Sequence, residues 1–207
     1  MVEIVSITQP FVEGISTPED LVCYIARVSN PENQMNTETS NRLIKFLMRH
    51  KHWSPFEMVD ITVSIKTSRA IAAQLLRHRS FSFQEFSQRY SSVAKNTEIE
   101  LRKSGAKNRQ SSTDIIEDDA LIGMVNLCID NNMKVYQELL SKGVARETAR
   151  MVLPLSCETH IYMKGSLRSW IHYLELRCAE DTQKEHRIIA DDIKNKLKEH
   201  FPNIFSL

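Results

Sequence analysis

Val59-Asp60-Ile61-Thr62-Val63-Ser64-Ile65-Lys66 is followed at once by Thr67-Ser68-Arg69-Ala70-Ile71-Ala72-Ala73-Gln74-Leu75-Leu76, and this stretch decides the fold. In its first half apolar and polar residues alternate, the period of a strand with one face buried. In its second half Ser68 can cap a helix whose packing face is Ala70, Ile71, Leu75 and Leu76. That helix is expected to run into Arg77-His78-Arg79.

Working outward, Val2 to Thr8 reads as a first strand. Thr17-Pro18-Glu19-Asp20 starts a helix, with a capping hydroxyl, Pro at the first helical position and early acids. A second helix is expected over Glu38 to Arg49, then a loop His50-Lys51-His52-Trp53-Ser54-Pro55. Residues 95 to 113 are polar and read as an exposed loop, including Lys107-Asn108-Arg109-Gln110. A long helix from about Asp114 to Lys142 should end at Gly143. Short pieces over 146–164 and helices near 166–178 and 183–200 complete the chain, the last pointing Ile188, Ile189, Ile193 and Leu197 inward. The class is therefore α+β: a mostly antiparallel sheet flanked by helices, a single domain over 1–207, with no Rossmann unit.

Composition narrows the function classes. The 207 residues carry a net charge of +1, so no global basic field points to nucleic acid. Cys23, Cys128, Cys157 and Cys178 form no C-x-x-C pair and read as free thiols of a reducing compartment. The N-terminus has an early acid and no long apolar run, and nothing approaches the ~20 apolar residues of a membrane span, so a soluble cytoplasmic protein is expected. The five glycines are scattered, which excludes G-x-G-x-x-G and P-loop phosphate binding.

Side chains must then hold any phosphate, and arginine suits the task through its planar fork. Gln74, Arg77 and His78 stand at i, i+3, i+4, and Arg79 and Arg89 follow among Phe81, Phe83, Phe86 and Tyr90. Arg146 and Arg150 repeat the i, i+4 spacing, as do Arg168 and His172, with Arg177 on the same predicted helix. A lone helical arginine usually covers a solvated face or pairs with an acid such as Glu147. Three clusters beside aromatic loops point instead to a phosphate-bearing ligand. An RNA- or single-strand-binding platform could use Arg77, Arg79, Arg89 and the aromatics, but the near-neutral charge argues against it. Ser87 has no Ser-His-acid order around it, and His50-x-His52 with His78 lacks a carboxylate or thiolate set, so neither a serine nucleophile nor a metal is expected.

The segment Arg77-His78-Arg79-Ser80-Phe81-Ser82-Phe83-Gln84-Glu85-Phe86-Ser87-Gln88-Arg89 resembles the signature of flavin-dependent thymidylate synthases: R-H-R, seven residues, Ser, and an Arg two places on. His52-Trp53-Ser54-Pro55-Phe56-Glu57 is similar to that family's H-x-S/T-P-F-E element, Arg146-Glu147-Thr148-Ala149-Arg150 through Pro154 to its R-E-x-A-R-x-x-L-P, and Leu174-Glu175-Leu176-Arg177 to its L-x-x-R. The order agrees over residues 45 to 180. Three positions depart: Ser166 and His172 stand where the family commonly has Asn, and Gln84 replaces a frequent Asn.

The resemblance implies reductive methylation of dUMP to dTMP, with methylenetetrahydrofolate as carbon donor, reduced FAD as hydride donor and NADPH as its reductant. It implies FAD contacts from Ser54, Arg77, His78, Arg79, Glu85, Ser166, Leu167, Arg168 and His172. It implies dUMP contacts from Gln74, Leu75, Leu76, Arg77, Glu85, Phe86, Ser87, Gln88, Arg89, Arg150 and Arg177. Arg177 is the expected electrostatic catalyst at the pyrimidine edge. A homotetramer with active sites between subunits is implied as well; neither a nucleic acid nor a membrane partner is expected.

Overall fold

The computed structural model describes residues 1–92, 95–106 and 111–206. Two compact units appear, each gathered from separated segments: the first from 1–65, 78–84 and 162–207, the second from 66–77 and 85–161. Strands β1 (Val2–Ile7), β2 (Asp60–Ser68), β3 (Ser82–Glu85) and β6 (Glu158–Ser166) form a sheet in the order β1-β2-β6-β3, with β1 antiparallel to β2. The alternation read from 59–66 is present: Val59, Ile61, Val63 and Ile65 are fully buried while Asp60, Thr62 and Lys66 reach solvent. Helices and antiparallel strands together make the α+β class.

In the first unit, helices α1 (Pro18–Ala26), α2 (Ser40–Arg49), α6 (Leu167–Arg177), α7 (Lys184–His200) and α8 (Pro202–Phe205) gather around Phe56, Trp170, Tyr173 and Phe201. The Thr17 hydroxyl accepts from the Asp20 amide and caps α1 as its sequence suggests. α2 ends in a residue with left-handed backbone, Lys51 at φ 57. The His52 amide donates to the Leu47 carbonyl at 2.9 Å and the Lys51 amide to Met48 at 3.1 Å, the paired bonds of a Schellman stop. Lysine occupies a place that glycine fills at lower cost. Gly165 serves a different need, because a Cβ there would stand 2.4 Å from the Phe81 ring. Its absence lets Phe81 pack against Trp170, ring centroids 4.8 Å apart.

In the second unit, α3 (Arg69–Leu75) is capped by Ser68, whose hydroxyl accepts from the Ile71 amide. α4 (Asp119–Ser141) is followed by Gly143 at φ 81 and by the short α5 (Arg146–Ala149). α4 starts later than its sequence suggested, since Asp118 rather than Asp114 caps it. The polar 95–113 stretch is not simply a loop. It contains β4 (Arg102–Ser104), paired antiparallel with β5 (Ser112–Ile115), while Thr97 donates to the Ser156 carbonyl at 2.8 Å. Both faces of β5 are exposed, so this hairpin carries no apolar alternation for a sequence reading to find. Lys107 to Gln110 lie outside the described residues. Two residues expected inward are not: Leu76 follows the end of α3 and is 42% exposed, and Ile188 lies off the α7 stripe at 56%.

Candidate active site

In the first unit the residues from the sequence reading fall into two pairs, Arg177 with His78 and Arg168 with His172. Arg177 is the last residue of α6, and its Nε donates to Nε2 of His78 at 3.0 Å. A guanidinium only donates, so His78 must present a bare Nε2 and is the neutral Nδ1–H tautomer. Burial, then the Arg177 charge, hold its pKa down to about 4. Arg177 has no carboxylate partner among the described residues, so its charge stays uncompensated.

Arg168 lies on the first turn of α6, and its Nη1 meets Glu57 Oε1 at 2.9 Å. Ser166 caps α6 and donates to the other oxygen of Glu57 at 2.5 Å. His172 stacks edge-on against Trp53, centroids 4.8 Å apart. Trp53, Arg168 and His172 line one cavity of about 810 Å³, with Lys51 and Lys194 at its walls. Aromatic faces beside Lys51, Lys194 and the Glu57-paired Arg168, with Glu175 as the acid of the same wall, suit a ring system that carries phosphates. Ser54 and Arg79 are exposed, whereas Leu167 is fully buried and its amide already donates to the Val59 carbonyl at 2.7 Å. Leu167 therefore acts as a core anchor for the α6 start, while Arg168 beside it lines the cavity.

The second unit holds an ionic cluster. Glu85 Oε1 accepts from Arg69 Nη1 at 2.7 Å and from the Thr159 hydroxyl at 2.9 Å. Both bonds fall on one oxygen, which leaves Oε2 without a bond among the described residues. Gln88 is only 5% exposed, yet its Nε2 is a buried donor without a hydrogen-bond partner. Gln88, Arg69 and Arg150 line a smaller cavity of about 290 Å³. Leaving a buried amide N–H without an acceptor costs about 1–3 kcal/mol, so this orphan, in a cavity also lined by Arg150, leaves room for a hydrogen-bond acceptor.

Gln74, Arg77 and His78 do not share a helical face as their spacing suggested, because α3 ends at Leu75. Arg77 sits in the turn, its amide donating to Gln74, and His78 belongs to the first unit. Arg77, Ser87 and Arg89 are exposed, Phe86 is half-buried, and Leu75 is core. Sequence reasoning passed over Glu57, Arg69 and Thr159. Arg69 did carry a signal: a cation in the first turn opposes the helix dipole, so something else must hold it there. Glu57 lay within the quoted H-W-S-P-F-E element without a role.

Among the described residues no helix is long and apolar enough to cross a membrane. The family described as "Thymidylate synthase complementing protein" matches residues 11–203. A probable flavin-dependent thymidylate synthase of Paramecium bursaria Chlorella virus 1 is 48% identical over 206 residues, covering 98% of this chain and 95% of the relative. A flavin-dependent thymidylate synthase of Synechocystis is 46% identical over 210 residues, covering 98% and 96%. The solved structure of a UMP/dUMP methylase, PolB from Streptomyces cacaoi bound with 5-Br dUMP, superposes with a TM-score of 0.85 at 26% identity, covering 100% of this chain and 93% of that one.

Proposed function

Since the chain belongs to the flavin-dependent thymidylate synthase family, we propose that it methylates dUMP reductively to dTMP, with FAD as its flavin, methylenetetrahydrofolate as carbon donor and NADPH as reductant. The observation that carries this reading is the orphaned Gln88 amide in a cavity shared with Arg69 and Arg150, a donor set that suits a nucleotide phosphate.

Bound FAD would supply the hydride. The cavity residues that fit it are Arg168 for a phosphate and Trp53 and His172 for ring contacts, and the family resemblance adds Ser54, His78, Arg79 and Ser166. Ser166 and His172 replace the family's common Asn with another hydrogen-bonding group, and the Ser166 hydroxyl is already engaged by Glu57. Arg77, like Glu85, serves both ligands in this reading. For dUMP, Gln74 and the 85–89 segment flank the nucleotide, and the unbonded Oε2 of Glu85 accepts a donor from it. Arg177, uncompensated and aimed by His78, stabilises charge developing on the uracil edge. No protein nucleophile is required, because the protein orients and polarises while the cofactors carry the bond chemistry.

The whole chain, 1–207, acts as one family domain in this reading, and a homotetramer completes its sites. α4 supports assembly: of its 23 residues only Tyr136 is buried, while Met124 and Leu127 are 62% and 60% exposed. Such an apolar helix surface suits a closed symmetric interface. Incubation with dUMP, methylenetetrahydrofolate, FAD and NADPH should yield dTMP and tetrahydrofolate in equal amounts, from a tetramer by light scattering. No dTMP from flavin-loaded protein would overturn the activity, and an active monomer would overturn the shared sites.

A further inference from the structure

Behind the Arg177–His78 bond lies a second polar pair that the site does not otherwise use. The Tyr173 hydroxyl and His186 Nε2 share a hydrogen bond of 3.0 Å, with Tyr173 2% exposed and His186 fully buried. Tyr173 and Arg177 stand four residues apart on α6, so they share one helix face. His186 occupies the inward stripe of α7 that continues through Ile189, Ala190, Ile193 and Leu197. An aliphatic residue there would fill the space without desolvating a polar ring, so packing alone does not account for a histidine.

Both partners touch His78. Its ring meets Tyr173 edge-on at 4.9 Å and 80°, and His186 at 6.2 Å and 89°. The titratable and charged groups facing His78 are thus Tyr173 and Arg177 from α6 and His186 from α7. A flip of the His78 ring would remove the acceptor from Arg177. A proton on it would set one cation against another.

We propose that Tyr173 and His186 are positioning residues: their buried bond fixes the ring plane of His78, which keeps Nε2 bare and directs the Arg177 guanidinium. This rests on the reading of Arg177 given above, but the state of the His78 ring can be measured without turnover. Burial pushes His186 down to about 4 and the Tyr173 phenol up, so this pair stays uncharged through the neutral range.

The test uses flavin-loaded, full-length Tyr173→Phe, which keeps ring and volume, together with His186→Leu and His186→Gln. In the unsubstituted protein, nitrogen NMR should show His78 neutral with a bare Nε2 until the pH nears about 4. In Tyr173→Phe and His186→Leu the His78 signals should average between tautomers and titrate closer to 6.5. In both, kcat should fall about tenfold at saturating dUMP while KM changes less than about twofold, the pattern of a misdirected transition-state contact. His186→Gln, which keeps a neutral partner for the phenol, should restore most of the rate. Unaltered His78 signals in Tyr173→Phe overturn the proposal, and so does an altered His78 with an unchanged kcat. Loss of rate together with loss of flavin means a purely structural pair and also overturns it. If the unsubstituted protein makes no dTMP, the functional reading fails, while the His78 spectra still decide whether the pair positions that ring.

Discussion

In the first unit Arg177 rests on a neutral imidazole; in the second, Arg69 rests on the Glu85 carboxylate. Both bonds fix a guanidinium, but their electrostatic outcomes are opposite. Arg69 and Glu85 cancel most of each other's field, so that pair is suited to shape a wall and orient the free oxygen of Glu85. Arg177 is aimed without being neutralised, which a residue that must meet developing negative charge requires. The surroundings follow the same division. His78 lies among the rings of Phe81, Tyr173 and His186, whereas Glu85 lies among hydrogen-bond donors.

The sharpest way to break this contrast is Arg177→Lys. The charge survives but the bond to His78 and the planar fork do not. Turnover should fall about a hundredfold, a loss of roughly 3 kcal/mol in transition-state stabilisation, with flavin still bound. Near-normal turnover at saturating dUMP would remove Arg177 from its role.

Acidification should strain the aromatic cluster. His186 is neutral when folded, with a pKa held to about 4, but binds a proton near 6.5 when unfolded. The unfolded state therefore holds more protons between those values, and stability present above pH 6.5 is lost as pH falls towards 4. The loss is at most on the order of 3 kcal/mol for this group. Urea unfolding across that range should show it, and His186→Leu should flatten the curve; equal slopes in both proteins would contradict the assignment.

In the second unit, Arg150→Ala should weaken dUMP binding about tenfold or more by removing a charge-assisted bond, without changing flavin content. Calorimetric titration of both proteins with dUMP checks this, and equal affinities would detach the Gln88 cavity from the nucleotide. The smallest effect concerns the stop of α2. Lys51→Gly should raise unfolding free energy by up to about 1 kcal/mol by relieving the left-handed backbone. A lower melting temperature would show that the lysine side chain holds the turn by other contacts.

Much of this division was legible where local chemistry dictates local structure. The alternation at 59–66, the hydroxyl caps at Thr17 and Ser68, and Gly143 each act within a few residues, so the sequence carries them directly. The β4–β5 hairpin was not legible, because its strands are short and show no apolar alternation. Nor was the end of α3 before Arg77, since Leu76 extends the apolar pattern beyond the last helical turn. Of the candidate site, arginines were readable by type and spacing, but their partners come from distant positions. Glu57 meets Arg168 and His78 meets Arg177, pairings of 111 and 99 residues' separation that no periodicity encodes. His186 did leave a trace, as the polar member of an otherwise apolar stripe on α7.

The central claim is that the cavity of Trp53, Arg168 and His172 serves a flavin, while the Gln88–Arg150 cavity and Arg177 serve the nucleotide. The absorption spectrum of the purified chain, recorded before and after adding dUMP, tests it most directly. We expect the visible bands of noncovalently bound FAD, released intact by heat, and a shift of those bands when dUMP binds. Protein that stays colourless and fails to bind added FAD would contradict the account.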